Sequence, residues 1–176
     1  MPETGGSALA YLLPQVAARA VDAWRQRYDP HIDYIPPHVT VTYPPFVSEQ
    51  DWENVRPRIS ECLKVVKAFK VRLASIGVFT DPQKVLWLRP EDGGNFAAIH
   101  SLLARSFPSQ APPSPLSYVP HVTLGFFDTL EALELARAAV MSEWQPQWIT
   151  VDQLTLLQNI SEGVWMTRDH IDLAAP

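Results

Sequence analysis

Apolar residues run unbroken from Ala8 to Leu13, stop at Pro14, and then recur as Ala17, Ala20, Val21, Trp24 and Tyr28. The first pattern predicts a short strand and the second a helix, with Pro14 in the first turn, where a missing amide hydrogen costs nothing. Asp29-Pro30 breaks that helix. After Ile35-Pro36-Pro37, residues His38 to Tyr43 alternate with β-branched Val and Thr, which predicts a pleated strand ended by Pro44-Pro45. Ser48 opens a second helical pattern carrying Trp52, Val55, Ile59, Leu63 and Val66 on one face, with Pro57 expected to kink or split it. Phe69 to Phe79 and Lys84 to Arg89 read as an antiparallel hairpin around an Asp81-Pro82 turn.

The same grammar then returns. Asn95 is expected to cap a third helix with Phe96, Ile99, Leu103 and Phe107 on its buried face, followed by a proline-rich loop from Pro108 to Pro115. Tyr118 to Phe127 reads as a strand, and Asp128 with Glu131 resembles a capping box before a helix with Leu133, Ala136 and Val140 inward. Trp148 to Gln158 and Val164 to Leu173 predict a last hairpin around Ser161-Glu162-Gly163. Both halves therefore read strand, helix, strand, helix, hairpin. A duplication with so long a period excludes a solenoid and implies an α+β fold of two similar lobes facing each other across a groove. The whole chain, 1–176, is expected to form one domain of two pseudo-symmetric lobes.

Composition narrows the choice of partners. With 176 residues, 47% of them hydrophobic and 19% charged, the chain can bury a full core. Its net charge of −5 argues against broad counterion-release binding to a long polyanion, though a nucleotide or an RNA end remains compatible. Cys62 is the only cysteine, which excludes an intramolecular disulfide and any cysteine-built metal centre, and suits a reducing cytoplasm. The first twenty residues lack the charge pattern of a secretory signal. The long uncharged stretch Ser106 to Phe127 contains five prolines, so it is not expected to cross a membrane. A soluble cytoplasmic monomer is the expectation.

The chemistry lies in a repeated tetrapeptide. Pro37-His38-Val39-Thr40 returns as Pro120-His121-Val122-Thr123, and random order of this composition would give only about 0.002 copies. Because strand side chains alternate, His38 and Thr40 share a face, and so do His121 and Thr123. If the lobes pack with approximate twofold symmetry, two imidazoles and two hydroxyls meet across the groove. Attack on phosphorus needs a base for the incoming oxygen and an acid for the leaving one, and histidine can serve as either near neutral pH. The threonine hydroxyls can donate to the nonbridging oxygens. No metal or other cofactor is required, and two histidines without an acidic partner make an incomplete metal shell.

These paired His-x-Thr motifs resemble those of the two-histidine (2H) phosphoesterase superfamily. The stretch Ile35-Pro36-Pro37-His38-Val39-Thr40-Val41-Thr42-Tyr43-Pro44-Pro45-Phe46 is especially similar to the bacterial 2'-5' RNA ligase-like group. The likeness extends over nearly the whole chain, through Val85-Leu86-Trp87-Leu88, Arg105-Ser106-Phe107-Pro108 and the strand at Trp165. It implies a bilobal fold, two antiparallel sheets around a central cleft with helices outside. It also implies hydrolysis or ligation of 2',3'-cyclic or 2'-5' phosphates on RNA ends or small nucleotides. On this resemblance His38, Thr40, His121 and Thr123 are the catalytic residues. The chain departs from the group in an extra proline before Phe46 and in having no basic cluster beside either motif.

Around the motifs, Tyr11, Tyr34, Trp87, Tyr118 and Trp165 lie on or beside strands that could border the cleft, where an aromatic ring can stack on a base. Of these, Tyr11, Trp87, Tyr118 and Trp165 join Arg89 and Arg168, candidate phosphate contacts, as expected substrate-binding residues. His31, His100 and His170 lack repeated context and read as structural, and Tyr43 and Phe126 read as core aromatics. The rival to an enzyme is a noncatalytic module that holds a nucleotide or RNA end through the same four motif residues.

Overall fold

The structure is a computed structural model that describes residues 6–111 and 117–176. Twelve elements follow in the order β1 (Ser7–Leu12), α1 (Gln15–Tyr28), β2 (His38–Thr40), α2 (Trp52–Leu63), β3 (Phe69–Phe79), β4 (Lys84–Glu91), α3 (Asn95–Ser106), β5 (Val122–Phe127), α4 (Leu130–Glu143), β6 (Gln147–Val151), β7 (Gln153–Ser161) and β8 (Val164–Asp172). The strands form two four-stranded antiparallel sheets, ordered β2-β1-β7-β8 and β5-β4-β3-β6. This is the α+β, two-sheet arrangement expected.

The chain does not divide between the sheets at its midpoint. The hairpin β3–β4 joins the second sheet, beside β5, and the predicted strand from Trp148 to Gln158 breaks at Asp152. Its first part, β6, closes the far edge of the second sheet, and its second part, β7, returns to pair with β1 in the first. A sequence repeat cannot reveal this exchange, because a hairpin reads the same whichever sheet receives it.

Side-chain parity explains which face does what. In the first sheet Leu9, Tyr11, Val39, Leu154, Leu156 and Ile171 are buried in one continuous core that also takes Val21 and Trp24 of α1, Ile59 of α2 and Phe96 and Ile99 of α3. In the second sheet Leu86, Leu88 and Val122 enter the same core, and α4 packs on that sheet with Leu133, Ala136 and Val140 buried. The directly paired residues Leu12 and His38, Ala10 and Thr40, Ala10 and Thr155, and Thr155 and His170 occupy the opposite face of the first sheet. In the second sheet, Gly77, Trp87 and Thr123 are paired on the face turned from the core.

Several local expectations give way to the tertiary structure. The helix α2 begins at Trp52 and runs unbroken through Pro57. Both Pro57 and Glu53, whose carbonyl loses its partner, are solvent-exposed, so water can satisfy the gap. Gly94, in the left-handed region at φ 88°, precedes α3, and Asp92 caps it by accepting from the amides of Gly94 and Phe96, so Asn95 is the first helical residue. Thr129, not Asp128, caps α4, its hydroxyl accepting from the amide of Ala132. The motif strands are shorter than predicted, and residues 112–116 of the proline-rich loop lie outside the described residues. Among the described residues no helix is long and apolar enough to cross a membrane.

Helix α1 packs against β5, so it bridges from the first sheet's connection to the second sheet's edge. The closest approach is at Gly125, where an added Cβ would collide with the Cβ of Tyr28 and lie 2.7 Å from its carbonyl oxygen. Because part of that clash is with backbone, rotamer adjustment cannot relieve it. Gly125→Ala is therefore expected to destabilise the fold by about 1–3 kcal/mol, as overpacking does. Urea denaturation measures it, and an unchanged midpoint would show that α1 shifts freely on β5.

Candidate active site

His38 begins β2 and His121 immediately precedes β5, and these two strands are edge strands of different sheets that lie against each other. Each imidazole is fixed in the same manner. Nδ1 of His38 bonds the carbonyl oxygen of Pro36 at 2.8 Å, and Nδ1 of His121 bonds that of Val119, also at 2.8 Å. In both cases the bond reaches back two residues across the intervening proline, Pro37 or Pro120, whose fixed φ sets the geometry. A carbonyl can only accept, so Nδ1 is the protonated nitrogen and Nε2 is left with its lone pair.

Thr40 and Thr123 are half-buried on the faces that carry the imidazoles. The segments are tied together across the sheets by Tyr118, whose hydroxyl donates to the carbonyl oxygen of Thr40 at 2.8 Å. Burial, with Tyr43 and Asp92 nearby, holds that hydroxyl far above its ordinary titration range, so it stays a donor. The ring of Tyr118 also stacks on His100 at 4.1 Å, and His100 in turn bonds the carbonyl of Val41. Two residues preceding the second motif thus grip the backbone of the first.

The two imidazoles sit in unlike surroundings. His121 packs against Phe79 at 5.1 Å and Trp87 at 5.9 Å between ring centroids. Trp87 can lie there because it crosses Gly77, where any Cβ would overlap the indole. At the loop that leads into His38 lies a buried ion pair: the Arg25 guanidinium donates to Asp29 at 2.8 Å, to Asp22 at 3.0 Å and to the carbonyl of Ile35 at 2.8 Å. Burial pushes the His38 imidazole down to about 4, with Arg25 and His121 adding to the fall and the Pro36 carbonyl and Asp29 opposing it. Burial also lowers His121, against the pull of the Val119 carbonyl. At neutral pH the resting site therefore holds two uncharged imidazoles, each offering Nε2 as a proton acceptor.

The flanking residues divide. Trp87 is on the face shared with Thr123, and Arg89, two residues along the same strand and exposed, lies over the Trp87 ring at 5.5 Å. Tyr118 reaches the site but is engaged by Thr40 and His100. Tyr11 is placed elsewhere: it pairs with Val39, is buried on the core side and donates to the Thr150 carbonyl. Strand parity explains this, since Tyr11 is one residue out of step with Leu12 and Ala10, the neighbours of His38 and Thr40. Arg168 forms an exposed ion pair with Glu49 at 2.7 Å. Trp165 is half-buried on β8, paired with Asn159 and held by the Tyr34 carbonyl. Tyr43 is exposed rather than in the core, because the chain leaves the ladder after Thr40, and Phe126 is half-buried against His31.

Sequence reading passed over Arg25, Asp29 and Phe79. For the first two a signal was present: Arg25 and Asp29 follow Val21 at spacings of four on the buried stripe of α1, where a charged pair is unusual. Phe79 has no such mark. Among the described residues, no three His, Cys, Asp or Glu side chains gather into a group that could hold a metal ion. A broad hollow of about 1130 Å³ between the end of α1 and the start of α4 contains neither motif.

Known proteins resemble this chain in sequence and in fold. Residues 13–162 match the 2'-5' RNA ligase superfamily. A protein of Halalkalibacterium halodurans, provisionally named a phosphoesterase, is 31% identical over 152 residues, covering 82% of this chain and 83% of its own. Among solved structures, Thermus thermophilus TT0787 superposes with a TM-score of 0.70 at 15% identity, covering 96% of this chain and 98% of that one. E. coli LigT in complex with 3'-AMP gives 0.63 at 18% identity, covering 97% and 99%. Other LigT structures hold ATP, NADP+ or phosphate.

The lowered value of His38 has a measurable consequence. Between about 4 and the unfolded value of ~6.5, the unfolded chain binds a proton that the folded chain does not, so stability falls as pH drops through this window and levels off below it. His38→Gln is expected to flatten that part of the stability profile. Thermal midpoints from pH 4 to 7 test it, and a wild-type His38 NMR titration centred near 6.5 would contradict it.

Proposed function

The chain belongs to the 2'-5' RNA ligase superfamily and is a phosphoesterase of that kind, and from this premise we propose that it cleaves 2',3'-cyclic or 2'-5' phosphodiesters on RNA ends or small nucleotides without a metal. The observation that carries this reading is the matched pair of imidazoles, each anchored at Nδ1 and open at Nε2, on two adjoining edge strands. The lobes would act as one unit, in a monomer of the cytoplasm.

In the reaction proposed, one imidazole takes the proton of the attacking water as its oxygen bonds to phosphorus. The bond from phosphorus to the leaving sugar oxygen breaks, and the other histidine, as imidazolium, protonates that oxygen. Thr40 and Thr123 donate to the nonbridging oxygens. Because both imidazoles are neutral at rest, the acid takes its proton from solvent as the substrate binds. A phosphodiester anion beside the pair favours the charged form and opposes the desolvation that lowers both values. The nucleotides held by LigT support a nucleotide-sized ligand for this chain too.

His38→Ala and His121→Ala are each expected to lower kcat/KM for a 2',3'-cyclic nucleotide by roughly 10²- to 10⁴-fold, and the double variant to be little worse than the worse single. Thr40→Val and Thr123→Val should cost less, since each removes one neutral donor and preserves shape. Losses that multiply, or a folded single His variant with full activity, would refute the acid-base pair. Turnover should also persist in excess EDTA, and a loss restored by one divalent ion would replace this mechanism with a metal-dependent one. Binding of the cyclic nucleotide with no turnover at any pH would assign the site to binding alone.

A further inference from the structure

We propose that Arg25 is a positioning residue of this site, one that orients His38 by pinning residues 29–35 through Asp29 and the Ile35 carbonyl. The inference rests on the acid-base reading above. It begins with a side chain that burial alone does not explain: a guanidinium 3% exposed, on the apolar stripe of a helix. A charge placed there is costly unless it is compensated, so its partners matter.

Those partners all bear on one loop. Asp29 ends α1 and accepts from Arg25 through one carboxylate oxygen and from the amide of His31 through the other. Ile35 is at the loop's far end, and its carbonyl takes a second arm of the same guanidinium. Arg25 thus pins both ends of residues 29–35, and the next residue, Pro36, supplies the carbonyl that holds His38 Nδ1. A planar fork with fixed donor directions suits this task in a way an ammonium does not. From the same helix Tyr28 meets Gly125 on β5, so α1 registers the first motif against the strand of the second.

Arg25 also adds to the fall in the His38 value that burial causes, while Asp29 opposes it, so removing the cation and losing only the fork have separate signatures.

The test compares Arg25→Gln and Arg25→Lys with the wild type, by pH-rate profiles and by NMR titration of the histidine ring nitrogens in the resting protein. Arg25→Gln is expected to lower kcat by roughly 10- to 100-fold with KM changed less than about threefold, the pattern of a misplaced catalytic group. With the cation gone, the His38 titration should move to higher pH. Arg25→Lys keeps the charge and loses the fork, so kcat should fall while the His38 midpoint stays. Arg25→Gln with unmoved His38 resonances, or Arg25→Lys with wild-type kcat, would overturn the proposal. If Arg25→Gln does not fold, Arg25→Lys decides the positioning role. The NMR readout needs no turnover, so a failure here is distinguishable from an enzyme that acts on another substrate.

Discussion

Two strands that share no backbone ladder must be held side by side, and this requirement organises the rest of the molecule. β2 and β5 are the outer strands of separate sheets, so no row of interstrand hydrogen bonds sets their relative position. Other contacts do so. The Tyr118 hydroxyl on the Thr40 carbonyl joins them on one side, and α1 packed against β5 at Gly125 joins them on the other. Each contact tolerates little displacement, since one is a directed bond and the other a backbone approach that excludes a methyl group.

The site inherits its chemistry from how tightly that junction is made. Half-buried imidazoles resist charge, and carbonyl anchors at Nδ1 leave Nε2 free in both. The result is a pair that is matched in local geometry and unmatched in surroundings, with a buried ion pair at the loop leading to one ring and aromatic rings packed on the other. Near-identical tetrapeptides therefore sit in different electrostatic surroundings. The difference resides wholly in what the rest of the chain packs against them.

The exchange of hairpins serves the same end. By sending β3–β4 into the second sheet and returning β7–β8 to the first, the chain crosses between the sheets more than once. Helices α1, α2 and α3 and both sheets then share one apolar core. A shared core makes the relative placement of the sheets part of folding itself. The two motifs need that placement more than either needs its own strand, which is only three residues long in the case of β2.

Periodicity and the repeated Pro-His-Val-Thr were enough, by themselves, to determine most elements, the α+β class and the four motif residues, because these follow from short-range spacing. The prolines within the motifs even foreshadow how each ring is anchored, since a fixed φ acts over two residues. Four things needed the tertiary structure: which sheet receives each hairpin, the removal of Tyr11 to the core side, the pairing of Arg168 with Glu49, and the burial of Arg25 against the Ile35 carbonyl. Each of these joins residues through contacts between elements rather than along one. Strand parity depends on where a ladder begins, a salt bridge on which surfaces meet, and a buried charge on partners that only folding assembles. Sequence spacing carries none of that information, and so the motif was legible while the asymmetry around it was not.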